Sequence, residues 1–216
     1  MIADYERPFC RRVEVVPNAI DLDRYPVKEW RAARVPVLGY SGSHSMMRQL
    51  LDIHEPLEKL AGIEPYVLHV IGGPAPFALE RAEVLEKRWT PETEVLHLHA
   101  FDVGLAPAPD SEWNRYKSFV KVLLYMAVGL PVVASALGLP CRIIRDGENG
   151  FLARITDDWI EKLLILIRDP DLRRRMGQTR PRGRIRRHAR TTENLGFMSP
   201  CLSGSAARRR SAAAAR

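Results

Sequence analysis

Cysteine is scarce in this chain of 216 residues: Cys10, Cys141 and Cys201 are the full set, and no two stand in a CxxC arrangement. Their odd number and wide spacing argue against a disulfide framework and a zinc site, and fit a reducing compartment. No run of about 18 apolar residues is available to span a bilayer. The N-terminal MIADYERPFCRR also lacks the apolar centre of a secretory signal. The expected setting is cytoplasmic, in solution or peripheral to a membrane. Neither GxGxxG nor GxxxxGK[ST] occurs, which leaves little support for a dinucleotide or P-loop site. Lysine is missing from Arg180 to Arg216, where ten arginines meet a single glutamate.

That last absence changes the meaning of the net charge. The formal +7 belongs to the tail, since residues 1–179 carry 23 basic and 25 acidic side chains. A body without a basic face argues against a nucleic-acid partner; the clustered arginines are the one feature that would favour it. The tail has no sustained apolar periodicity and reads as disordered. Its bias toward Arg, Ala, Pro, Gly and Ser would also arise from a GC-rich gene read in a shifted frame. Elsewhere, 46% hydrophobic and 27% charged residues are ordinary globular values.

What is present is a succession of short apolar runs. VEVVPNAIDLDRYP (13–26) reads as a strand leading into a linker, and VPVLGYSGSHS (35–45) as a strand stopping at a Gly-Ser loop. Apolar residues from Met46 to Leu60 recur at helical spacing. YVLHVIGG reads as a strand, FALERAEVLEKRW as a helix, EVLHLH as a short strand and FDVGLAPAPD as another strand. A helix opening in WNRYKSFVK, the strand LPVVAS, the turn DGENG before FLA, and the helical TDDWIEKLLILIRDP and DLRRRMG complete the pattern, with Thr156 expected as an N-cap. Apolar strands alternating with helices predict an α/β fold, a doubly wound, mostly parallel Rossmann-like sheet. The expected organisation is a lead-in strand and linker over 1–26, one domain over 27–179 and the tail over 180–216.

Ligands of such sheets bind at the carboxyl ends of the strands. Three loops there stand out: Ser41-Gly42-Ser43, Gly72-Gly73, and Pro107 to Ser118. Small residues allow close approach to the backbone, and helix starts attract phosphate; each glycine pair taken singly is also compatible with a plain turn. Lys117 and Lys121, four apart, would project together from one helix face near its start. Cations there oppose the helix dipole, which points either to an anion nearby or to side chains snorkelling into water.

VVPNAIDLDRYP, LGYSGSHS, FDVGLAPAPDSEWNRYKSFVKVLLYMAVGLPVVAS and IIRDGENGFLA together resemble the C-terminal, nucleotide-sugar-binding half of family-4-type glycosyltransferases of the GT-B fold, over residues 10–178. The resemblance implies a retaining transferase with a nucleoside-diphosphate sugar as donor, a hydroxyl as acceptor and no metal or other cofactor. It implies diphosphate contacts from Gly42, Ser43, Lys117, Ser118 and Lys121, a nucleoside near Gly72, and Glu148 of DGENG beside the sugar.

Two departures qualify it. Many members carry an acidic pair on this segment whose second Glu binds ribose; here the positions are Tyr116 and Leu124, and leucine accepts no hydrogen bond. The chain also starts about where an acceptor-binding N-terminal half would end, so a separate partner half or a truncated product is expected. A non-catalytic remnant domain is the alternative reading. His97 and His99 show His-x-His spacing without supporting ligands, Asp102 reads as structural, and Trp89 either stacks on a base or fills the core.

Overall fold

The computed structural model describes residues 6–14, 18–30 and 35–179. Side chains on successive strand residues point to opposite faces, so strands apolar throughout need cover on both sides. The sheet has six strands: β1 (Val37–Ser41), β2 (Val67–Ile71), β3 (Glu83–Lys87), β4 (Val103–Ala106), β5 (Val132–Ser135) and β6 (Gly150–Ala153). All pairings are parallel. Among the described residues, seven α-helices accompany them: α1 (His54–Ala61), α2 (Glu94–His99), α3 (Glu112–Tyr116), α4 (Val120–Ala127), α5 (Pro140–Ile143), α6 (Thr156–Arg168) and α7 (Pro170–Gln178).

Burial follows the alternation. Leu38, Tyr40, Leu68, Val70, Leu105 and Val133 join Leu50, Leu57, Leu60, Trp159, Leu163 and Leu166 in one apolar layer. Ile71, Ala106, Val132 and Ala134 join Leu98, Phe101, Val122, Tyr125, Ile20 and Tyr25 in the other. The sheet is thus covered on both faces, and the doubly wound Rossmann-like α/β architecture is what the chain adopts.

Strand order is β3-β2-β1-β4-β5-β6. The chain builds outward from β1 through β2 to β3, then returns to β4 on the other side of β1 and builds outward again. Connections leave β1 and β4 in opposite directions, which opens a crevice beyond their carboxyl ends. The loops after Ser41 and Ala106 face one another there.

Several expectations need correction. FALERAEVLEKRW contains β3, because the free edge of β2 offers a ladder from Val67↔Glu83 to Ile71↔Lys87 that outweighs the helix propensity of Ala, Glu and Leu. The charged Glu83, Glu86 and Lys87 suit an exposed edge. EVLHLH is the helix α2, whose buried Glu94 and Leu98 lie one turn apart. Helix formation after β1 begins as a 3-10 segment, His44–Ile53, and becomes α-helical at His54, with Pro56 in the first turn where its missing N–H is harmless. Residues 13, 14 and 18–26 form no strand, and 15–17 lie outside the described residues. Thr156 opens α6 without capping it; Asp169 caps α7 by accepting from the Leu172 amide at 2.7 Å. The tail, 180–216, and the readings placed on it lie outside the described residues.

One local feature positions the site. Gly39 and Gly104 sit opposite each other on β1 and β4. A methyl group added at Gly39 would fall 1.9 Å from the Phe101 ring, and one at Gly104 would fall 2.4 Å from the Tyr125 ring. The two bare backbones form a trough in which both rings lie. Gly39→Ala is therefore expected to lower stability by about 1–3 kcal/mol through overpacking, measured by urea unfolding.

Candidate functional site

Tyr125 lies on α4, and its ring rests on Gly104. Its hydroxyl accepts the Ser41 amide N–H at 2.7 Å, across the sheet's switch point. This contact holds the first turns of α4 against the end of β1, where Gly42 follows. Gly72, at φ +108°, completes the loop pair: a side chain there would meet the Gly42 carbonyl oxygen at 2.0 Å.

The single helix expected to carry both lysines is interrupted. α3 ends at Tyr116, Lys117 is extended, and Phe119 adopts φ 46°, ψ 47° before α4 begins. A left-handed conformation is costly for a residue other than glycine, and here the buried Phe119 ring anchors it. The lysines converge by another route than a shared helix face. Lys117 Nζ lies 3.2 Å from Met46 Sδ, and Lys121 Nζ lies 3.4 Å from Gln49 Oε1 and 3.8 Å above the Tyr40 ring. Met46 and Gln49 are neighbouring turns of the 3-10 segment after β1. Gly42 belongs to the same cluster, since a methyl placed on it would lie 3.2 Å from Tyr40 Oη and 3.3 Å from Met46 Cβ.

Among the described residues, neither lysine forms an ion pair. Burial pushes the Lys121 ammonium down to about 7, and the neighbouring Lys117 cation adds to the effect. Desolvation lowers Lys117 as well. Two partly desolvated cations side by side, softened by an amide oxygen, a thioether and an aromatic ring but by no carboxylate, form an arrangement that an anion would stabilise.

Ser43 and Ser118 are exposed on the flanks of this cluster, Ser43 Oγ lying 3.1 Å from Ser45 Oγ. Glu148 is not drawn into it. Its carboxylate pairs with Arg145 at 2.9 Å on the exposed turn before β6. Asp102 has the structural role expected: it accepts the Val37 amide N–H at 2.9 Å and pairs with the buried Lys28 at 3.3 Å. His99 Nε2 lies 2.9 Å from the Pro26 carbonyl oxygen, His97 packs edge-on against His69, and no group of three metal-ligating side chains occurs among the described residues. No described helix is long and apolar enough to cross a membrane.

On the other side of α4 lies a cleft of about 510 Å³. Helix α4 contributes Val120 and Leu124 to its wall, the lead-in segment contributes Ile20, Asp21, Arg24 and Tyr25, and Trp89 and Glu94 also line it. Trp89 is 43% exposed, so it lines this cleft and does not fill the core. Glu94 accepts from Tyr25 Oη at 2.5 Å and from Trp89 Nε1 at 2.9 Å. Burial and that carboxylate push the Tyr25 phenol up to about 12. None of Glu94, Tyr25, Asp21 and Arg24 was singled out in the sequence, although VVPNAIDLDRYP, which holds the last three, carried part of the family resemblance; the signal at Glu94 was the apparent alternation of EVLHLH, which conceals a helical turn.

The family described as Glycosyl transferases group 1 matches residues 35–169, more than half of the chain. The chain belongs to the group 1 glycosyltransferases. Among curated members, the D-inositol 3-phosphate glycosyltransferase of Nocardia farcinica is 28% identical over 195 residues, covering 77% of this chain and 42% of that protein. This glycosyltransferase chain therefore spans less than half the length of that relative. Its fold is shared with the C-terminal domain of a group 1 glycosyl transferase from Francisella tularensis (TM-score 0.52, 18% identity, covering 74% of this chain and 93% of that one). Anabaena HepE, solved with UDP and glucose, also shares it (TM-score 0.54, 16% identity, 76% and 50% covered). The resemblance to the C-terminal half of a GT-B glycosyltransferase thus holds at the level of family and fold.

The lowered Lys121 sets a pH test for this glycosyltransferase domain. Between its folded value of about 7 and the ordinary 10.5, the unfolded chain binds the extra proton, so stability rises with pH across that window. Urea unfolding at pH 7 and 9 should show Lys121 contributing a gain on the order of 1–2 kcal/mol at the higher pH, and Lys121→Met should remove that increment.

Proposed function

We propose that this domain is the donor-binding half of a retaining glycosyltransferase, holding a nucleoside-diphosphate sugar whose sugar passes to a hydroxyl acceptor. The observation that carries the reading is the pair of cations at the switch point, Lys117 and Lys121, with no ion-pair partner among the described residues. A diphosphate placed between them and Gly42 would supply the missing charge, and its backbone contacts would come from the loops at Gly42, Ser43 and Gly72. Ser118 is close in sequence to offer a hydroxyl, while Glu148, on its separate turn, would reach the sugar from the other side.

The adjoining cleft gives the rest of the donor a place. Trp89 offers a flat aromatic surface and Val120 and Leu124 an apolar wall, which suits a nucleobase. HepE, which shares this fold, was solved with UDP and glucose. In transfer, charge develops on the leaving diphosphate, and fixed cations at that position lower the barrier without help from a metal. The acceptor wall of the cleft would come from a further half, in the same polypeptide or a partner, with the reaction in the cytoplasm.

Isothermal titration with UDP, GDP and ADP is expected to show binding by the folded chain. Lys117→Ala and Lys121→Ala should each weaken it about tenfold or more, the size of a lost charge-assisted contact. Affinity should also fall as pH rises from 7 to 9, because the free Lys121 must regain its proton on binding. A folded sample with no affinity for any nucleoside diphosphate overturns the proposal.

A further inference from the structure

One ionisable group of the cleft has no task in the reading above. Glu94 is 7% exposed and lies at the start of α2. Tyr25 donates to its Oε2 at 2.5 Å, Trp89 Nε1 donates to its Oε1 at 2.9 Å, and the Arg24 guanidinium is 3.9 Å away. A carboxylate has about four acceptor sites, so one hydrogen bond on each oxygen leaves both oxygens able to accept another. Pinned at both ends, the group is held in a single orientation.

The rest of the cleft sharpens the contrast. Ile20, Val120 and Leu124 accept no hydrogen bonds. Asp21, the other acid on the wall, takes the Asp23 amide N–H at 3.1 Å within its own turn. Trp89, hydrogen-bonded to Glu94, also presents its ring to the cleft, so a planar group stacked there would carry its attached sugar past the carboxylate.

Resting on the proposal that this site takes a nucleoside diphosphate, we infer that Glu94 is its hydroxyl-recognising residue. It accepts hydrogen bonds from the vicinal diol of the ribose, one hydroxyl to each oxygen, and it sets a preference for ribonucleotides over analogues lacking the diol. Tyr25 and Trp89 act as positioning residues for the carboxylate. The helix face that carries Leu124 then supplies shape, and the polar contact comes from across the cleft.

The test is calorimetry on the full chain with three probes: the nucleoside diphosphate that binds best among UDP, GDP and ADP, its 2′,3′-dideoxy counterpart, and inorganic pyrophosphate. The wild-type protein is expected to bind the dideoxy compound at least about tenfold more weakly than its parent. Glu94→Gln should bind both equally weakly, with pyrophosphate affinity unchanged, and Asp21→Asn should still discriminate. Equal wild-type affinity for the two nucleotides overturns the inference and leaves the donor-site proposal standing. A Glu94→Gln variant that keeps the discrimination, or that loses pyrophosphate in proportion, also overturns it. Absence of any nucleotide binding by the wild type removes both. The wild-type comparison needs no variant, and Tyr25→Phe, which loosens the carboxylate while keeping it, should reduce the discrimination without touching pyrophosphate.

Discussion

The hydrogen bond from the Ser41 amide to the Tyr125 hydroxyl ties together the parts of the candidate site. It exists because Gly104 has no side chain, which lets the Tyr125 ring lie flat on β4 and reach across to the end of β1. A buried amide at a strand end needs an acceptor, and here the acceptor is the helix that bears Lys121 on one side and Leu124 on another. Moving α4 would therefore leave an unsatisfied amide and a void over Gly104 at once. The same contact holds the Gly42 loop, the lysine pair and the cleft at fixed separations.

Lys28 is buried and Lys117 and Lys121 are partly buried, and the two environments differ in how the charge is met. Lys28 has Asp102, the Phe101 carbonyl and the Trp30 ring around it, and Asp102 in turn takes the Val37 amide. Its charge is balanced within the protein, and its effect is to fasten the lead-in segment to the sheet. Lys117 and Lys121 have a thioether, an amide oxygen and an aromatic face. Their charge is cushioned but not balanced by any ion pair among the described residues.

Much of the architecture was readable from the residues because buried parallel strands are apolar throughout and stop at small residues, as VLGYSG and LHVIGG do. The edge strand β3 lacks that signature: Glu83–Lys87 is held by its ladder to β2 and not by its own composition. Short helices fail for a related reason, since six residues of α2 show one turn of periodicity and can pass for an alternating strand. Lys117 and Lys121 stood out in the sequence through their spacing and apolar surroundings. How they meet was not legible, because no local rule places a phenylalanine in the left-handed region; that break is imposed by the packing of the Phe119 ring. Glu94 was invisible because its partner Tyr25 lies 69 residues away in sequence, and Trp89, five residues before it, meets it only across a turn.

The cleft draws much of its wall from the segment around Ile20, Asp21, Arg24 and Tyr25, which forms no part of the sheet and is strapped to it through Lys28. The sheet and the cleft consequently have different borders. The sheet begins near Val37, where the ladder starts; the cleft reaches back into what sequence alone marks as a linker, whose Ile20 and Tyr25 are buried in the core. In a two-lobed enzyme such a segment would be shared property, at once the joint between lobes and a surface of the pocket. A displacement of one lobe would then reshape the pocket of the other without any relay through the protein interior.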